Sequence, residues 1–334
     1  MRALAIVFAV LVLLAPPLLA EEAETADEVT VEQWEETLAQ SPTTRWALVL
    51  LKVVPTLLGV LFLFSAYRGW NRRKAGWGGA EDRDRLLAVF GEGEPLGEPR
   101  AGPTVPYPLG VAFLLTVFAV VLGLAAAPLV ANLLPGGRDT LVFRVVLVLL
   151  VEAPIAAVVL VRRHRLRAGR ITAPARALGR GVVTFSIGSA VAFPLALLGG
   201  AVLLGLGKPP EVQQVLLEAT DKASPANLWI IAAFGVLAAP VLEESIFRGL
   251  FFPALRQASG GGRRGFWLSA ILVSLLFATV HENLYALLPL FGLAIVLTVV
   301  FEKTDSLSTV ILGHAFYNAS TVVPMLIARM EGAI

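Results

Sequence analysis

Long apolar runs recur along this chain, and they leave few folds open to it. Stretches of about 20 apolar residues recur near 46–67, 108–133, 141–161, 181–206, 229–255, 266–281, 284–301 and 307–327. A run of that length matches the hydrocarbon thickness of a bilayer when it is wound as a helix. Inside a bilayer every backbone polar group must be satisfied within the segment, so each run is expected to be a helix. Composition agrees: 57% of the residues are hydrophobic and only 16% are charged, against roughly 25% charged in soluble domains. The expected fold is therefore all-α, a polytopic transmembrane bundle of about eight spans. With no cysteine in the chain, disulfides, thiolate metal sites and a cysteine nucleophile are excluded. The net charge of +2 gives no global bias toward nucleic acid, and none is expected as a partner.

Charge is sorted along the chain. Met1 and Arg2, the short apolar run 3–14, and Ala20 before Glu21 read as a secretory signal peptide over 1–20, with an uncleaved signal anchor as the alternative. An acidic extracytoplasmic segment, 21–45, comes next. N-terminal membrane helices and basic loops then occupy 46–180, and a C-terminal core occupies 181–334. Arg68, Arg72, Arg73, Lys74, Arg83, Arg85 and Arg100 follow the first span. Arg162, Arg163, Arg165, Arg167, Arg170, Arg176 and Arg180 follow the third, and Arg256, Arg263 and Arg264 follow the fifth. These loops share one side, which the positive-inside rule makes cytoplasmic. The expected location is a plasma membrane, with a bacterial inner membrane as the reading. The stretch around Pro209 and Pro210 is expected to lie along the outer interface.

Ionisable groups within spans cost about 2.5–3.5 kcal/mol each on insertion scales, so each one needs a reason. The fifth span carries Glu243 and Glu244 side by side, with Arg248 four residues after Glu244. Glu244 and Arg248 share a helix face and can pair. Glu243 points about 100° away and is left without a cation. An unpaired carboxylate in low dielectric can accept and return protons near neutral pH. The sixth span ends Phe277-Ala278-Thr279-Val280-His281-Glu282, and the eighth contains His314 and Asn318 on one face. Position 285 is Tyr, so His281-Glu282 does not begin a zincin motif. His164 lies in the arginine-rich loop and reads as solvated. A lone histidine in a span is usually a hydrogen bonder between helices. Two of them, with an amide and a spare carboxylate on neighbouring spans, point to a shared site. Glu152 stands before Pro154 in the third span as a buried carboxylate without an evident basic partner; it reads as a partner for a helix end or as a proton-path residue.

Glu-Glu-x-x-x-Arg, Phe-x-x-x-His and His-x-x-x-Asn occur in that order at 243–248, 277–281 and 314–318. Together with Phe247-Arg248-Gly249-Leu250 and Thr304-Asp305-Ser306-Leu307, they resemble the CPBP family of intramembrane proteases, also called the CAAX prenyl protease and bacteriocin-processing (Abi) family. The resemblance covers about 229–327. It implies an endopeptidase acting on membrane-associated proteins or lipidated peptides, with functional positions at Glu243, Glu244, Arg248, Phe277, His281, His314 and Asn318. By this resemblance Glu243 is the general base, His281 and His314 hold or polarise the water, Asn318 donates to the oxyanion, Arg248 orients Glu244, and Phe277 packs. Glu243, His281 and His314 would also make a three-ligand zinc set with an open position, so the cofactor is either none or one zinc ion. The competing reading is a non-proteolytic membrane scaffold or bacteriocin-immunity protein, or a proton-coupled transporter.

Overall fold

A computed structural model describes residues 41–74, 109–134, 140–166, 171–208, 226–260 and 262–332, together with Glu36 and Leu216. The expected signal segment, nearly all of the acidic segment, most of the first basic loop and the stretch after Lys208 lie outside these residues. All elements among the described residues are helices. We number them α1 (Pro42–Leu48, continuing through Val49–Val53 into Val54–Lys74), α2 (Leu109–Leu133), α3 (Leu141–Leu166) and α4 (Pro174–Gly205). The fifth, α5, runs without a break from Ala226–Ile231 to Phe252–Ala258. Gly262–Thr279 is α6, Leu284–Thr304 is α7 and Leu307–Met330 is α8.

Seven of these helices are long and apolar enough to cross a membrane, and the chain is an integral membrane protein. The exception is α6, which opens with Gly262-Arg263-Arg264-Gly265. Its apolar part from Phe266 onward rises only about 21 Å at 1.5 Å per residue, short of the ~30 Å hydrocarbon core. Large apolar side chains on the outer faces, among them Leu57, Phe64, Phe118 and Leu129, are exposed as lipid contacts require.

Local signals set the helix ends. Ser41 accepts a hydrogen bond from the Thr44 N–H, and Pro42 occupies the first turn of α1, where its missing donor costs nothing. Asn283 caps α7 through the Ala286 N–H at 2.7 Å. Asp305, at φ 47°, closes α7 in the left-handed conformation, and Ser306 immediately caps α8. The Thr304-Asp305-Ser306-Leu307 sequence is thus a two-residue turn that returns α8 beside α7. At the opposite end of α8, the Ser41 hydroxyl donates to Glu331. Hydrogen bonds from Ser41, Thr43 and Thr44 hold that carboxyl below its ordinary range.

Three π-helical turns interrupt the ladder, at Val49–Val53, Ala232–Ala238 and Phe247–Phe251. Each ends two residues before a proline: Pro55, Pro240 and Pro253. A proline ring crowds the carbonyl four residues back and offers it no donor. Widening the turn to a five-residue repeat relieves the crowding. Two of these turns bracket Glu243 and Glu244.

The bundle is centred on α4, which packs most extensively against α7, α8 and α1. The contact is made by small residues that let backbones approach, as is common between membrane helices. A Cβ added to Gly313 of α8 would lie 2.7 Å from Thr184 Cγ2, and one added to Gly59 of α1 would lie 1.9 Å from the Ser186 carbonyl oxygen. Backbone cannot move aside as a side chain can. Gly59→Ala is therefore expected to separate α1 from α4 and to destabilise the protein by about 1–3 kcal/mol, the usual cost of overpacking. Thermal unfolding of the purified variant checks this; an unchanged Tm would contradict the α1–α4 packing.

On the other side, α3 packs against α5. The two helices run parallel. Leu141, at the start of α3, clusters with Leu228 and Ile231 at the start of α5. Further on, Ile155 and Val159 join the core with Ile246, Phe247 and Leu250.

Candidate active site

The polar groups of the core gather where α5, α6, α7 and α8 meet. Glu244 and Arg248 are both fully buried, and Arg248 Nη1 donates to Glu244 Oε1 at 2.8 Å. The i, i+4 spacing produces this pairing as the sequence predicts. Two further features hold the guanidinium. Its Nη2 donates to the Ala294 carbonyl of α7 at 3.1 Å, and its Cζ lies 4.9 Å from the centre of the Phe277 ring. A buried cation needs such company, because its desolvation costs several kcal/mol.

Glu244 also accepts from His314. The His314 Nδ1 to Glu244 Oε1 distance is 2.9 Å, and the imidazole is 2% exposed. A carboxylate already accepting from a guanidinium has no proton to give, so Nδ1 carries the hydrogen. That fixes the tautomer and leaves the Nε2 lone pair facing away. It faces Glu243: His314 Nε2 stands 3.9 Å from Glu243 Oε2. This is just past direct hydrogen-bond length. Glu243 Oε2 is buried and has no hydrogen-bond partner among the described residues, while the side chain as a whole retains 18% exposure. The two neighbouring carboxylates are thus differentiated. Glu244 sits in a closed network, and Glu243 presents a free acceptor beside an oriented imidazole.

His281 lies at the end of α6. Its Nδ1 donates to the Phe277 carbonyl at 2.8 Å, which leaves its Nε2 free. The Phe277 ring sits 4.9 Å from the His281 ring and 5.6 Å from the His314 ring. Phe277 itself is fully buried. It is the common wall of both imidazoles and of Arg248, a wider role than one-turn packing beneath His281.

Asn318 has a different partner from the one expected. Its Nδ2 donates to the Gly235 carbonyl of α5 at 2.7 Å. The first π-helical turn of α5 explains why. Within it the Ala239 N–H reaches the Phe234 carbonyl. The next donor in that five-residue pattern would serve Gly235 and would come from residue 240, which is proline. Gly235 is therefore left with an unpaired carbonyl, and Asn318 fills it. Sequence reasoning found Asn318 but missed Gly235; the signal was Pro240 five residues later. The Ala294 carbonyl was missed too, and nothing in the sequence marks it.

Among the described residues no three His, Asp or Glu side chains come close enough together to hold a metal ion. Glu243, His281 and His314 thus do not form a ligand set as they stand.

Residues 225–320, which contain every one of the site residues above, match the family described as Type II CAAX prenyl endopeptidase Rce1-like. Over that stretch the C-terminal membrane region is similar to the CAAX-protease family. The chain is also similar to "Putative membrane peptidase YdiL" of Bacillus subtilis (strain 168), at 26% identity over 124 residues. That stretch covers 37% of this chain and 47% of the relative, so the chain spans about half the length of the curated relative it matches. No solved structure matches. The family match begins at the start of α5, and α1 to α4 lie outside it.

Proposed function

We propose that this protein is an intramembrane endopeptidase that hydrolyses peptide bonds of membrane-associated substrates, lipidated ones included. The observation that carries the reading is the arrangement Arg248–Glu244–His314 facing Glu243. An oriented imidazole and an unpartnered carboxylate stand 3.9 Å apart, and structural ion pairing alone calls for neither.

In this reading a water molecule lies against Glu243 and His314 Nε2. Glu243 takes its proton as the water oxygen attacks the carbonyl carbon of the scissile bond, and returns it to the amine as the C–N bond breaks. Glu244 keeps the imidazole in the tautomer with Nδ1–H, as the orienting carboxylate does in a catalytic triad. Arg248 holds Glu244 in place through its guanidinium. The second amide hydrogen of Asn318 is a donor within this group of residues for the developing oxyanion, and the Nε2 lone pair of His281 is an acceptor. No step is assigned to a metal. The arginine-rich segments after α1, α3 and α5 support a cytoplasmic placement of those loops in a bacterial inner membrane.

Trapping tests this in native membranes. Cells carrying Glu243→Gln are expected to accumulate uncleaved forms of a small set of membrane proteins, recoverable in complex with the variant. Indistinguishable membrane proteomes in the wild-type and Glu243→Gln cells would instead favour a scaffold or transport role.

A further inference from the structure

We propose that Glu152 is a positioning residue for the reaction at Glu243: its carboxyl group hydrogen-bonds the water on which Glu243 acts. The inference rests on the proteolytic reading above but concerns a residue outside the matched family region.

The geometry comes from the parallel packing of α3 and α5. Glu152, Ile155 and Val159 lie on one face of α3, at i, i+3 and i+7. Glu243, Ile246 and Leu250 lie on α5 with the same spacing. Ile155 and Val159 share a core cluster with Ile246 and Leu250, and the helices run in the same direction. Each carboxylate heads its stripe, and the Ala239–Ile246 part of α5, which carries Glu243, packs on α3.

Neither group has a counterion of its own. Glu152 Oε2 and Glu243 Oε2 are both buried, and neither has a hydrogen-bond partner among the described residues. The elements packed on α3 are α2 and the middle of α5. Residues 109–133 of α2 contain no ionisable side chain. From α5 come Glu243, Glu244 and Arg248, and the guanidinium is committed to Glu244 and to the Ala294 carbonyl. Two buried carboxyl oxygens with no hydrogen-bond partner among the described residues take their hydrogen bonds from a molecule that is not the chain. Between Glu243 and an imidazole lone pair, that molecule is water. That water has two hydrogens, one for Glu243 and one for His314 Nε2, so Glu152 bonds it as the neutral acid: its O–H donates to one water lone pair and leaves the other, fixed in direction, to attack.

A carboxyl kept only for packing would make a different prediction. Replacing a buried, unpartnered polar group with an apolar one of similar size is neutral or stabilising. Glu152→Leu is therefore expected to keep or raise the Tm in both cases, and activity discriminates. The test measures kcat and KM on a trapped substrate, or a peptide derived from it, in liposomes for wild type, Glu152→Leu, Glu152→Gln and Glu243→Gln. A positioning role predicts that Glu152→Leu loses kcat by about 10- to 100-fold, the scale of a displaced reactant, with KM little changed. Glu152→Gln, which still hydrogen-bonds, stays within about threefold of wild type. Wild-type kcat in Glu152→Leu, a lowered Tm in that variant, or equal losses in Leu and Gln would overturn the inference. Retained activity in Glu243→Gln would instead sink the hydrolytic reading on which it rests.

Discussion

Glu243→Gln is expected to reduce cleavage by about 10²–10⁴-fold, the usual worth of a general base, with no loss of thermal stability. The two side chains are nearly isosteric. The Glu243 carboxylate receives no hydrogen bond at Oε2 and pairs with no cation, since Arg248 is engaged by Glu244. Amide substitution therefore breaks nothing that holds the fold. What it removes is the proton acceptor facing His314 Nε2. Initial rates in proteoliposomes, with melting measured on the same preparation, separate the two effects. A variant that loses activity only because it unfolds would place Glu243 among the structural residues, together with Glu244.

Arg248→Met is expected to show the opposite balance and the largest stability loss of any single change in the core. It strands the Glu244 carboxylate at zero exposure, and breaking one side of a buried ion pair costs about 3–5 kcal/mol. The damage extends to His314, whose Nδ1 hydrogen bond depends on an ionised Glu244. Folding yield and Tm should fall together, and activity should disappear with them. Replacing both partners, Glu244→Leu with Arg248→Met, removes the stranded charge and should recover much of the Tm, since apolar replacement of a buried pair is often neutral or better. It should not recover cleavage, because the imidazole then lacks its orienting partner. A double variant that folds and cleaves at the wild-type rate would remove Glu244 from the account.

The sequence and the structure agree most closely where one helix carries the information. Glu244 and Arg248 pair because a helix places residues four apart on one face, and the separation of Glu243 from them follows from the same 100° step. The apolar runs anticipate the helices to within a few residues, apart from α6, whose basic opening shortens its apolar length. What depends on two helices was less legible. The hydrogen bond from His314 to Glu244 requires the close approach of α8 that Gly313 allows against Thr184, and no spacing within one span announces it. Asn318 spends one amide hydrogen on the Gly235 carbonyl that Pro240 leaves open, a contact between two helices that its own span does not announce. Glu152 gave no motif signal at all. The sequence marks it only as a buried carboxylate before Pro154; the role proposed above depends on the packing of α3 against α5.

The central claim is that Glu243 and His314 act on one water molecule from two sides, and a double-mutant cycle tests it most directly. Groups that act as a unit are non-additive, because once one is lost the other has little left to contribute. Rates for wild type, Glu243→Gln, His314→Ala and the double variant would be compared in liposomes, with Tm confirming that all four fold. The account predicts that the double variant is no slower than the slower single variant. Losses that multiply across the cycle would show that the two groups act independently, and would contradict a shared water between them.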